Sequence, residues 1–313
     1  MYRPCSALLL LLALSGTRTA QAQATASTPQ GLDSARVMDS VRAVRKSASF
    51  PIGLSAWPTD FYCAGPMSAT IQQMSPKEVL GRIQLAARCG VRLVLVPPRR
   101  LLTEGEQQRG VFSVDAAKRL TDRYAEALPP DTISKYRSTI LGLNLADDYG
   151  CEDCWGGRAI TQEQIAQWAS YARAKLPGIP LGVRVTPNWV EDYPPLAPLI
   201  DYTWAQYHTR KGDPKGYFDR AATIADRLGL RVMMGVNVKD CYGVGTNPCT
   251  VEDLVRFGRM ALSHPESCAF INWRYDEKTW TRADIREAWQ GLLDVAQARG
   301  RGAQECRRSA SGA

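Results

Sequence analysis

Two adjacent carboxylates, Asp147 and Asp148, are the residues of this chain best placed to do chemistry, at the end of Thr139-Ile-Leu-Gly-Leu-Asn-Leu-Ala-Asp-Asp-Tyr-Gly150. Leu141, Leu143 and Leu145 alternate with Gly142, Asn144 and Ala146, the pattern of a strand with one apolar and one small or polar face. A period of two puts Asp148 on the Asn144 face. With the leucines packed outward against helices, Asn144 and Asp148 look into an interior enclosed by several such strands, and the acid stands at the strand's carboxyl end, where parallel α/β proteins keep their sites. Glycoside hydrolysis is the chemistry that such an acid suits: one carboxyl protonates the leaving oxygen while a second acts as nucleophile or activates water. Asp148 is the expected proton donor and Asp147 its positioning neighbour. Asp240, beyond Val232-Met-Met-Gly-Val-Asn-Val238, is the expected opposite carboxylate, with Asp276 and Asp60 in reserve. Arg184 could hold a carboxylate ionised or grip an acid group of a substrate.

The other predicted strand ends carry amides, a histidine, arginines and aromatic rings. Trp57, Asn144, Arg184, Gln206, Tyr207, His208, Asn237 and Trp273 form a set suited to sugars, whose hydroxyls take polar partners and whose ring faces lie against indole or phenol. The same residues have plainer uses. Two acids after a strand commonly cap a helix or grip an arginine, Trp204 reads as barrel filling, His208 as a satisfied structural histidine, and Arg99 and Arg100 as solvated.

Positioning these residues requires a repeated strand-then-helix alternation. Ile52 to Trp57 reads as the first strand, and Ser75-Pro76-Lys-Glu78 as a capped helix start leading to Val79, Ile83 and Ala87. Val91 to Val96, the acidic strand, Leu181 to Thr186, Asp201 to His208, Arg231 to Val238 and Ala269 to Tyr275 follow, separated by helices that include one opened by Thr161 and Gln164. Between Pro129 and Ser138 the signal is weak, and a degenerate strand or an extra helical turn fits there. Seven clear units and one weak one in a chain of this length predict a single (β/α)8 TIM-like barrel over residues 50–300, with one strand degenerate. A doubly wound open sheet is the alternative, but the glycine-rich phosphate turn it would carry is replaced by Trp57-Pro-Thr-Asp-Phe-Tyr-Cys.

Gly142-Leu-Asn-Leu-Ala-Asp-Asp148, Tyr202-Thr-Trp-Ala-Gln-Tyr207 with Arg210-Lys-Gly-Asp213, and Cys268-Ala-Phe-Ile-Asn-Trp-Arg-Tyr-Asp276 together resemble uncharacterised exported bacterial proteins that are similar to TIM-barrel glycoside hydrolases. The resemblance spans most of Ile52 to Gly300. In that group the acidic strand tends to end Asp-Glu-Pro, so the resemblance aligns Asp147 with the Asp and Asp148 with the Glu. It implies acid/base and nucleophile positions on the fourth and seventh strands. This chain offers an aspartate at the first, and only Asn237, Lys239 and Asp240 around the second, so a catalytically inactive glycan-binding barrel is the alternative function.

Residues 1–22 read as a signal peptide, with the apolar run Ala7 to Leu14 and the Ala20-Gln-Ala22 cleavage pattern; residues 23–49 read as a flexible leader and 301–313 as a basic disordered tail. The apolar run is too short to cross a bilayer and no other stretch suffices, so periplasmic or extracellular export is expected. The formal charge of +8 falls to +6 without Arg3 and Arg18, and the last fifteen residues hold +3 of that, leaving a nearly balanced body that gives no support to nucleic-acid binding. Eight of nine cysteines lie beyond Cys5. In an oxidising compartment they favour disulfides: Cys151 with Cys154, Cys241 with Cys249, and Cys63, Cys89, Cys268 and Cys306 unassigned. Zinc at Cys151 and Cys154 is a less favoured alternative, and neither metal nor cofactor is expected.

Overall fold

The structure, a computed structural model, describes residues 46–238, 250–300 and 306–308 of the 313-residue chain. The expected signal peptide, the leader as far as residue 45, Asp240 and the Cys241–Cys249 pairing lie outside the described residues.

Eight parallel strands close into a barrel in chain order: β1 Ile52–Leu54, β2 Ala69–Gln73, β3 Arg92–Val96, β4 Ile140–Asn144, β5 Leu181–Val183, β6 Tyr202–Tyr207, β7 Arg231–Val236 and β8 Ser267–Asn272. The seam is β1 against β8, with Ile52 beside Phe270 and Leu54 beside Asn272. Long helices follow β2, β3, β4, β6, β7 and β8; short turns of helix follow β1 and β5. This is the (β/α)8 barrel. Its weakest strand in sequence terms is β2, whereas Pro129 to Ser138 holds a helical turn, Pro130–Lys135. Ala-Thr-Ile-Gln-Gln has a single large apolar residue, so no alternation marks it. What makes it a strand is pairing with β3 from Ala69 to Gln73, and hydrogen bonds to β1: Thr70 Oγ1 donates to the Leu54 carbonyl at 2.7 Å.

The helix starts follow their caps. Thr161 N–H donates to Gln164 Oε1 at 2.9 Å and Gln164 N–H to Thr161 Oγ1 at 3.2 Å, which satisfies backbone donors that the first turn leaves unpaired. Ser75 N–H likewise donates to Glu78 Oε2 at 3.0 Å.

Inside the barrel the packing is asymmetric. Tyr202 and Trp204 of β6 fill the hollow with rings, and the facing strands yield space with glycine: a Cβ on Gly182 would stand 2.2 Å from the Tyr202 ring and one on Gly142 2.5 Å from it. Leu143 and Leu145 pack outward against the helices, as their spacing predicts, but Leu141 joins the interior cluster. The reason is a bulge. Leu93 pairs with Ile140 and Val94 with Gly142, so Leu141 is an unpaired extra residue and the alternation slips there.

The C-terminal residues Cys306 to Arg308 are docked on the barrel. Cys306 is fully buried and bonded to Cys268 at the start of β8. Arg308 N–H reaches Asp201 Oδ1 at 3.3 Å, its guanidinium serves the carbonyls of Ala197, Ile200 and Leu228, and Arg307 donates to the Gly178 carbonyl at 2.5 Å. These arginines satisfy carbonyls of the loops that enter β5, β6 and β7, so their charge is spent on the amino-terminal rim and not on solvent.

Gly182→Ala should overpack the β5–β6 interior and lower stability by about 1–3 kcal/mol, read as a reduced urea midpoint; an unchanged midpoint would show that the Tyr202 ring is not confined there.

Candidate functional site

Past Asn144 the chain leaves β4 through buried Leu145 and Ala146 and reaches the two acids. Asp148 has φ +53°, in the left-handed region that aspartate tolerates better than most residues. That twist breaks the period of two. Asp147, not Asp148, is the more enclosed acid, with side-chain exposures of 25% and 43%.

Arg184, one residue beyond β5, organises the group. Its Nη1 is 2.6 Å from Asp147 Oδ1 and 3.7 Å from Asp148 Oδ1, and its Nη2 donates to Gln206 Oε1 at 2.7 Å. Its guanidinium carbon lies 4.8 Å from the centre of the Trp204 ring and 4.6 Å from that of Trp273, two cation–π contacts that fix a long side chain in one place. Trp204 is anchored in turn by its indole N–H, which donates to the Ile271 carbonyl at 3.1 Å.

Asp148 has a second cation. Arg99, opening the turn Arg99–Leu102 after β3, places Nη2 2.9 Å from Asp148 Oδ2 and sits over the Trp155 ring at 5.2 Å. Trp155 closes the circuit, donating its indole N–H to the Asp148 carbonyl at 2.9 Å. A small cavity of about 50 Å³ reaches in between these groups, lined among others by Gln73, Val96, Arg99, Leu145, Asp147 and Trp155.

Burial pushes the Asp147 carboxyl above its ordinary pKa; the Arg184 guanidinium pulls it back and the Asp148 charge pushes it up again, with a net shift upward. An acid with a raised pKa thus stands at contact distance from a cation that stabilises its carboxylate form.

Of the residues singled out from the sequence, Asp147, Asp148, Arg184, Gln206 and Trp273 come together. Asn144 lies just below them, fully buried, its Nδ2 3.4 Å from the Ala146 carbonyl. Trp57 does not join: it is buried in a separate aromatic group with Phe61, Tyr275 and Trp280. Tyr207 faces the helices, packed on Tyr217, Phe218 and Phe257 with its hydroxyl donating to the Gly212 carbonyl at 2.7 Å. Both rings are buried, and neither is in contact with Arg184 as Trp204 and Trp273 are. His208 precedes the turn Thr209–Lys211, and Asn237 continues β7, its N–H donating to the Tyr207 carbonyl at 2.7 Å. Asp276 caps the short helix Glu277–Trp280 through the Thr279 N–H at 3.0 Å, and Asp60 precedes the helix Phe61–Ala64. Arg99, read from sequence as solvated, is ion-paired with Asp148 and lies over Trp155, and Trp204 lies under Arg184. Cys151 and Cys154 are joined in a disulfide and offer no thiolate to zinc. Among the described residues no group of three or more His, Cys, Asp or Glu could hold a metal ion.

No family model and no curated protein matches the sequence. Solved structures that match include a GH18 chitinase from Pseudoalteromonas aurantia, at 11% identity over 77% of this chain and 99% of that one, TM-score 0.48. A β-mannanase from Thermomonospora fusca in complex with mannotriose matches at 12% identity over 74% of this chain and 83% of its own, TM-score 0.48. D-psicose 3-epimerase from Clostridium cellulolyticum H10 matches at 14% identity over 80% and 96%, TM-score 0.43. At such identities the likeness is of barrel to barrel and says nothing about chemistry.

A raised folded-state pKa has a signed consequence. Asp147 favours folding most below the ordinary carboxyl pKa of 3.8, and that contribution is lost as pH rises through the raised folded value. The unfolding free energy of the wild type relative to Asp147→Asn should therefore fall as pH rises above the ordinary 3.8 in denaturant titrations; a difference that is flat or rises with pH would contradict the burial of this carboxyl.

Proposed function

We propose that this chain is an exported carbohydrate-active barrel of the glycoside hydrolase type, working by aspartate acid/base chemistry at the carboxyl ends of its strands. The observation that carries the reading is the Asp147 carboxyl, pushed up by burial and set 2.6 Å from Arg184 beside a second carboxylate. In this reading Asp147 takes the role of proton donor that the alternation of β4 suggests for Asp148. It gives its proton to the glycosidic oxygen, and Arg184 stabilises the carboxylate left behind until water restores the proton. Asp148, paired with Arg99, stands beside the reacting centre. Asp240 remains the proposed opposite carboxylate, from its place after β7. Gln206 and Trp273 would meet the sugar, the first by hydrogen bonding and the second by its ring.

Three disulfides among the described residues, Cys63–Cys89, Cys151–Cys154 and Cys268–Cys306, support export, since such bonds persist in oxidising compartments. Among the described residues no helix is long and apolar enough to cross a membrane.

One observation favours the second reading, a barrel that binds a glycan without cleaving it: Asp147 and Asp148 are both ion-paired with arginine, as a structural pair would be. Turnover separates the two. On a panel of neutral and acidic oligosaccharides, hydrolysis by the wild type should fall by about 10²–10⁴-fold in Asp147→Asn, with oligosaccharide affinity kept. Binding without hydrolysis by the wild type on every member of the panel would establish the non-catalytic barrel instead.

A further inference from the structure

The loop that carries the acids is closed by a very short covalent ring. Cys151 and Cys154 are bonded to each other across three positions, both half-buried; Cys151 precedes the turn Glu152–Trp155 and Cys154 lies within it, next to Trp155. Cys151 N–H and the Trp155 indole both donate to the Asp148 carbonyl at 2.9 Å, and Cys154 N–H donates to the Cys151 carbonyl at 2.9 Å. Trp155 supports Arg99, and Arg99 holds the Asp148 carboxylate. An unbroken series of contacts thus runs from the disulfide to the acid pair: ring, turn, indole, guanidinium, carboxylate.

The other bonds are built differently. Cys268–Cys306 is wholly buried and spans 38 positions; Cys63–Cys89, with Cys89 buried and Cys63 exposed, is set apart by its span of 26. A long ring removes much conformational freedom from the unfolded chain, whereas a ring of four residues removes little, so the first two bonds are the ones that stabilise the fold. A short, accessible disulfide that stabilises little is the kind that exchanges with external thiols.

We propose that Cys151–Cys154 is a site of thiol–disulfide exchange that sets whether the acid pair is assembled; for its effect on turnover, the inference rests on the function proposed above. The partner is a dithiol reductant. One of its thiolates attacks a cysteine sulfur, the Cys151–Cys154 bond breaks and a mixed disulfide forms; its second thiol then displaces the cysteine. The reductant leaves as a disulfide, having given two electrons and two protons to two cysteine thiols. Reduction frees the Glu152–Trp155 turn, which withdraws the Trp155 support from Arg99 and loosens Asp148. The barrel, held by the two long-span bonds, stays folded.

The test is a dithiothreitol titration of the full-length oxidised protein, read three ways. Alkylation with N-ethylmaleimide and peptide mass spectrometry should find Cys151 and Cys154 opened at lower dithiol than Cys268 and Cys306. Under that partial reduction the Trp155 indole N–H should exchange with solvent deuterium faster by NMR, with far-UV circular dichroism unchanged. Hydrolysis should fall by about tenfold or more, the scale expected when a catalytic group is displaced by a fraction of an ångström, and Cys151→Ser/Cys154→Ser should reproduce both changes without reductant. Equal resistance of all three bonds, or a double variant with wild-type Trp155 exchange, would overturn the proposal. If the oxidised wild type hydrolyses nothing, the function proposed above fails while alkylation order and indole exchange still decide the redox site.

Discussion

Everything at the mouth of this barrel depends on where one guanidinium is held. Arg184 is long, charged and sits at the top of a hydrophobic interior, a position it would leave for water unless several contacts outweighed its hydration. Two indole faces, two carboxylates and an amide oxygen supply them. The contacts come from β4, β5, β6 and β8, so the side chain also reports whether those strands are in register. Because Trp204 lies beneath it, the filling of the barrel and the geometry of the acids are one problem: the glycines of β4 and β5 admit the Tyr202 ring, and Trp204 stacks above on the same face of β6.

This linkage explains how the Asp147 carboxyl can be pushed up although a cation stands beside it. An arginine at 2.6 Å ordinarily draws a carboxyl far toward ionisation. Here the same guanidinium is shared with Asp148 and Gln206, and Asp147 is withdrawn from water, so desolvation prevails. Asp148 is the more exposed of the two acids and has its own arginine, Arg99.

Much of this was legible in the amino-acid sequence, and the failures have local causes. Capping residues and 3.6-residue spacing mark the long helices, and short apolar runs, some alternating, mark seven strands. Strand β2 escaped because Ala69-Thr-Ile-Gln-Gln73 carries little apolar pattern and is specified by its neighbours. The face assignment at the acids failed because alternation presumes extended backbone, and the chain bulges at Leu141 and turns left-handed at Asp148. Trp57 and Tyr207 were expected at the mouth from their place at strand ends, yet both pack away from it, since position along a strand does not say which face a ring takes. Arg99 carries no distinguishing signal in Pro98-Arg99-Arg100; its place comes from Trp155 and Asp148, both about fifty positions away in the chain.

The account stands on a carboxyl at position 147 that burial holds toward its protonated form against the pull of Arg184. The direct measurement is the carbon-13 NMR titration of the Asp147 side chain in the intact protein. It should show a midpoint above the ordinary 3.8 that moves higher still in Arg184→Met; a midpoint at or below 3.8, or one that does not respond to loss of the guanidinium, would contradict it.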